Sequence, residues 1–157
     1  MEMTNRALNA YGQINTQTAI SSASPVQIII MLYDGAINSL AAAKGKMGEM
    51  KLAEKGQLIS KAISIVEGLR SVLDHEKGAQ IARNLEDLYD YMKRRLATAN
   101  LKNEVAGLDE VMGLLNSLRE AWIELDARER KASLAANAQS ALATAASSPQ
   151  ATLSLRA

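Results

Sequence analysis

Cysteine and phenylalanine are absent from this chain, and histidine, tryptophan and proline are scarce, at one, one and two residues in 157. Without cysteine there can be no disulfide, no thiolate nucleophile and no sulfur-ligated metal, which fits a reducing compartment. The lone histidine, His75, excludes a di-metal bundle site, which needs two Glu-x-x-His pairs; Val72, not Glu, stands three residues before it. A single His near a helix end is more often solvated or paired with a carbonyl than used as a catalytic base. No enzyme activity, no metal and no cofactor are therefore expected. One Trp and four Tyr are too few for a base-stacking surface, and the nine glycines are scattered rather than gathered into a phosphate loop. Lys and Arg total 18 against 17 acidic residues, so no strong field draws the chain to nucleic acid or an anionic membrane. The run Lys93-Arg94-Arg95 reads as a solvated face with Glu86, Asp87 and Asp90 one turn back. No apolar run approaches the roughly 20 residues of a membrane span, and MEMTNRALNAYGQ lacks the apolar stretch of a secretory signal. These absences predict a soluble cytoplasmic protein of one domain, with no nucleic-acid partner and no membrane insertion.

What is present is helical periodicity. The stretch SPVQIIIMLYDGAI, residues 24 to 37, has the apolar run of a strand and the Asp34-Gly35 of a hairpin turn. Ser24, Pro25 and Gln27 nevertheless form a capping box with proline at the first helical position, and AINSLAAAKGKM continues with helix formers. A helix from about 24 to 46 follows, with Asp34-Gly35 in its interior and the missing Gly side chain allowing close packing. Along LAEKGQLISKAISIVEGLRSVLD, steps of about 100° per residue place eight apolar residues on an arc of about 180°. One buried seam needs somewhat over 100°. This second helix, about 51 to 76, either packs on two neighbours or keeps an exposed apolar strip. His75 to Gly78 read as its end. The third, about 80 to 100, carries Ile81, Leu85, Leu88, Met92, Leu96 and Ala99 at spacings of three and four. The fourth, about 104 to 128, has Asn103 as its cap and a stripe from Leu108 to Leu125. Short connections between helices of this length predict an all-α, antiparallel up-and-down four-helix bundle over 24–128. An N-terminal arm, 1–23, precedes it and an Ala/Ser-rich tail, 129–157, follows, partly helical or disordered.

The strings NAYGQINTQTAISSASP, IIIMLYDGAINSL, ISKAISIVEGLRSVLD, NLEDLYDYMKRRLATAN and LDEVMGLLNSLREAW, in this order, resemble the flagellar secretion chaperones that hold flagellin in the bacterial cytoplasm. The likeness runs from about Asn5 to Leu125, and the combination of LYDGA, LYDYMKRRL and LREAW carries most of it. It implies a bundle that binds the C-terminal segment of flagellin in apolar grooves, prevents premature polymerisation and delivers it to the cytoplasmic domain of the flagellar export gate. The alternative is a helical-bundle adaptor or regulator of flagellar assembly that meets another flagellar regulator instead. The family's N-terminal arm covers part of the groove and moves when the client arrives; here Tyr11 and Ile14 are its anchors, unless Tyr11 is only a packed N-terminal staple. From the helical arc, the client groove is expected on the second edge of helix 2, at Leu58, Ala62, Ile65, Leu69 and Val72.

The tail departs from the family pattern. Leu142-Ala143-Thr144-Ala145, then Pro149-Gln150 and Leu153-Ser154-Leu155, resemble the C-terminus of flagellins, with Leu-Ala-x-Ala, Pro-Gln and Leu-Ser-Leu in that order. A client-mimicking tail would compete with flagellin at high effective concentration; the plainer reading is a marginal helix with a disordered end.

Overall fold

A computed structural model describes residues 23–146. Among them it contains four helices and no strand: α1, Pro25–Gly48; α2, Leu52–Ser71; α3, His75–Lys102; and α4, Val105–Ala146. The chain divides into two compact units after Trp122.

The capping box forms as read. Gln27 N donates to Ser24 Oγ at 3.2 Å and Ser24 N to Gln27 Oε1 at 3.1 Å, with Pro25 where no backbone N–H is required. Asp34 and Gly35 lie inside α1, Gly35 buried. By length and apolar composition α1 is, among the described residues, the one helix able to cross a membrane, a correction to the reading that no stretch comes near one. Its apolar positions are used in the core: Leu32, Tyr33, Ala36, Leu40 and Ala43 are buried.

Two boundaries differ from the sequence reading. Helix α2 ends at Ser71 rather than near 76, because Asp74 starts α3: its Oδ1 accepts from Glu76 N at 3.1 Å and Lys77 N at 3.0 Å. His75 thus opens a helix instead of closing one. The interruption read at Gly78 occurs one residue later, at Ala79, whose φ of 44° and ψ of −115° break α3. Asn103 does not cap α4. It ends α3 in the left-handed conformation, φ 54°, and with the Asn100 carbonyl it receives the ammonium of Lys55, at 2.6 and 2.8 Å. That buried cation sits where a helix C-terminus has unpaired carbonyls and favours positive charge.

The core draws on all four helices, with Leu32, Tyr33 and Leu40 of α1, Ile59, Ile65, Val66 and Leu69 of α2, Tyr89, Met92 and Leu96 of α3, and Leu108, Val111 and Leu115 of α4. Burying each large side chain contributes about 1.5–3 kcal/mol. Polar pairs join the helices around it. Lys46 meets Glu54 at 3.0 Å and Ser39 Oγ donates to the Leu58 carbonyl at 2.9 Å between α1 and α2. Arg70 grips Glu86 at 2.7 Å and Asp90 at 2.8 Å between α2 and α3. Lys44 meets Asp109 at 2.7 Å, and Arg119 pairs with Asp34, between α1 and α4. The basic run is less solvated than it reads: Lys93 pairs with Glu67, and Arg95 reaches Glu110 at 3.3 Å, leaving Arg94 exposed.

From Ile123 the rest of α4 forms the second unit. Residues 127–146 are exposed, Leu134 and Leu142 among them. Helix-stabilising pairs at i,i+4 join Glu124 to Arg128 at 2.5 Å and Asp126 to Arg130 at 3.2 Å. The helix therefore passes the expected end near 128.

Candidate functional site

An apolar cavity of about 230 Å³ opens within the first unit. Its wall is Leu69 from the last turn of α2, Val72, Leu73 and Asp74 from the connection to α3, Ile81, Leu85 and Tyr89 from α3, with Ile29 and Trp122 from α1 and α4. The short helical turn after Asp74 and the break at Ala79 shape it: they turn the chain so that Gly78, Ile81 and Ala82 all line the cavity. Gly78 is needed there, because a Cβ on it would stand 2.8 Å from the Ala82 Cβ. On the cavity rim Val72 and Ile81 are 42% and 69% exposed. An apolar cavity of this volume exceeds the roughly 150 Å³ that takes a benzene-sized group, so it accommodates one large apolar side chain or two small ones.

Beside the cavity lies a buried polar cluster. The Tyr33 and Tyr89 hydroxyls are hydrogen-bonded to each other, and Trp122 Nε1 donates to the Tyr33 hydroxyl at 3.2 Å. Burial pushes both phenols above their ordinary pKa, so both remain neutral. Arg119, three residues before Trp122, pairs with Asp34, the residue after Tyr33. Tyr33, Tyr89 and Trp122 come respectively from LYDGA, LYDYMKRRL and LREAW, so the three strings most distinctive in the sequence converge on one point. Sequence reasoning did not pick these side chains as a site; of the three, only Trp122 lay on an apolar stripe that the spacing identifies.

Of the residues expected to form the groove, Leu69 and Val72 line the cavity. Ala62 and Ile65 have no exposed surface and belong to the core, while Leu58 packs against it. The continuous exposed strip expected on that edge of helix 2 is thus interrupted: an arc of about 180° is needed because α2 packs on both α1 and α3. Leu142 of the tail is 71% exposed. Tyr11, Ile14, Pro149, Gln150, Leu153 and Leu155 lie outside the described residues. Among the described residues no group of three or more Asp, Glu or His is arranged to hold a metal ion.

Comparison with known proteins supplies the context of this site. The family model described as "Flagellar protein FliS" matches residues 7–129. The flagellar secretion chaperone FliS of Salmonella typhimurium is 46% identical over 119 residues, covering 75% of this chain and 88% of that protein. The flagellar secretion chaperone FliSB of Pseudomonas aeruginosa is 42% identical over 117 residues, 74% of this chain and 93% of its own length. The FliS of Campylobacter jejuni is 34% identical over 125 residues, or 80% and 94%.

Proposed function

Because the chain belongs to the FliS family of flagellar proteins, we propose that it is an export chaperone for flagellin. In this reading it binds the C-terminal segment of flagellin in the cytoplasm, with the cavity as one seat for an apolar side chain of the client. It keeps that segment from polymerising and presents it to the cytoplasmic domain of the flagellar export gate. The observation that carries the reading is the open apolar cavity beside Tyr33, Tyr89 and Trp122, bordered by the exposed Val72 and Ile81.

Physical chemistry supports it. A segment disordered on its own can fold as helix along an apolar surface, and the ordering cost of several kcal/mol keeps the complex reversible. An export chaperone needs that reversibility, since it must release its client. The scaffold is an antiparallel up-and-down bundle, supported by the order of the paired residues: Lys46 with Glu54 and Ser39 with Leu58, Lys44 with Asp109 and Asp34 with Arg119. No step in this function makes or breaks a covalent bond.

The rim provides the test. Val72→Asp and Ile81→Asp alter exposed side chains, so unfolding free energy should change by no more than about 1 kcal/mol. Flagellin affinity measured by calorimetry should fall at least about tenfold, because each charge must be desolvated when the seat fills. Affinity unchanged in both variants would remove the cavity from the client site.

A further inference from the structure

The polar cluster beside the cavity holds one more donor hydrogen than it uses internally. Trp122 Nε1 donates to the Tyr33 hydroxyl, and the two tyrosine hydroxyls share one hydrogen bond. Each phenol brings one hydrogen as well as acceptor lone pairs. Three hydrogens therefore meet two hydrogen bonds. Tyr89, 1% exposed, lines the cavity, whereas Tyr33 is fully buried and does not. A spare hydrogen on Tyr33 would be stranded in packed core, at the desolvation cost of an unmade bond. The order that avoids this runs from Trp122 to Tyr33 to Tyr89. It leaves the spare hydrogen on Tyr89, the member of the pair that borders the cavity.

We propose that Tyr89 is a specificity determinant of the cavity, its hydroxyl donating to an oxygen acceptor carried by the occupant beside the seated apolar group. This rests on the reading of the cavity as a seat for the flagellin segment, and it narrows what part of that segment fits. Carbonyls in a helix interior are already engaged by N–H groups four residues on, whereas those of the last turn are not. The seat therefore selects an apolar side chain at the end of a client helix or in an irregular stretch, where a backbone carbonyl is free, over one in mid-helix. A purely apolar cavity would make no such distinction.

Tyr33→Phe and Tyr89→Phe in the full-length protein separate this role from a structural one. Each removes one hydroxyl from the same cluster, so both should lower the unfolding temperature to a similar extent. Flagellin affinity should fall about tenfold in Tyr89→Phe, the worth of about 1.4 kcal/mol, and stay within about twofold in Tyr33→Phe, which leaves the Tyr89 hydrogen in place. Equal loss in the two variants, or no loss in Tyr89→Phe, overturns the proposal. A second readout needs no variant: with the protein labelled with carbon-13 at tyrosine Cζ, the Tyr89 signal should shift when flagellin is added, and an unmoved signal in a flagellin-bound sample overturns it too. Failure of the wild-type protein to bind flagellin at all is a different result, and would remove the client reading itself.

Discussion

Ile65 has no exposed surface, and its neighbours on the same helix divide into wall and core. Ile65→Ala should therefore cost about 2–5 kcal/mol in urea unfolding, with flagellin affinity per folded molecule nearly unchanged; the rim changes at Val72 and Ile81 should do the reverse. The helical arc put Ile65 and Val72 on one apolar face, and that much was legible. Which part of the arc meets α1 and α3, and which stays open, depends on where those helices lie, and no spacing within α2 encodes it. The ion pairs make a separate prediction about pH. Partial desolvation pushes the Asp90 carboxyl up, but the hydrogen bond and charge of Arg70, with the charge of Lys93, outweigh it and hold the group below 3.8. A carboxylate lowered by folding adds stability above its unfolded pKa and loses that contribution as pH falls through the folded value. The stability advantage of the wild type over Asp90→Asn should thus be complete at pH 7 and shrink as pH falls below about 4. An advantage independent of pH in denaturation at pH 7 and pH 3 would contradict the pairing.

At the scale of the elements, backbone conformation and close packing decide the helix ends. Ala79 adopts φ 44°, ψ −115°, a region where its Cβ clashes and which costs about 1–3 kcal/mol. Ala79→Gly should relieve that strain and, after the added freedom of the unfolded chain is subtracted, raise stability by about 1 kcal/mol, or about 2–4 °C in unfolding temperature. A decrease would mean the break within α3 is not strained. At the α3–α4 end, a Cβ on Gly107 would stand 2.7 Å from the Ala99 Cβ, so Gly107→Ala should lose about 1–3 kcal/mol in the same measurement. The start of α1 was legible because its capping signal is local, three residues within one turn. The α2–α3 boundary was not. Asp74 and the His75–Gly78 turn carry start and stop signals together, and only the tertiary position of Ile81 at the cavity shows which one prevails. Asn103 misled for a similar reason: the same residue type caps a helix start and tolerates the left-handed end of one.

For the whole molecule, the core ends at Trp122 and the family match ends at residue 129. Deleting 131–157 should therefore leave the unfolding temperature within about 2 °C of the full chain; a fall of more than about 5 °C would show that the tail takes part in the core. The helix count, its order along the chain and the family were legible, because periodic apolar faces and the strings LYDGA, LYDYMKRRL and LREAW are long-range but explicit. The continuation of α4 to Ala146 was legible only as one of two options, a partly helical or a disordered tail, since an Ala/Ser-rich sequence sits near the balance between helix and coil. The central claim is that the apolar seat receives the C-terminal segment of flagellin. Calorimetric titration of the full-length protein with intact flagellin and with flagellin lacking that segment tests it most directly. Binding to the intact client, and none to the truncated one, is predicted. Equal binding to both would contradict the account.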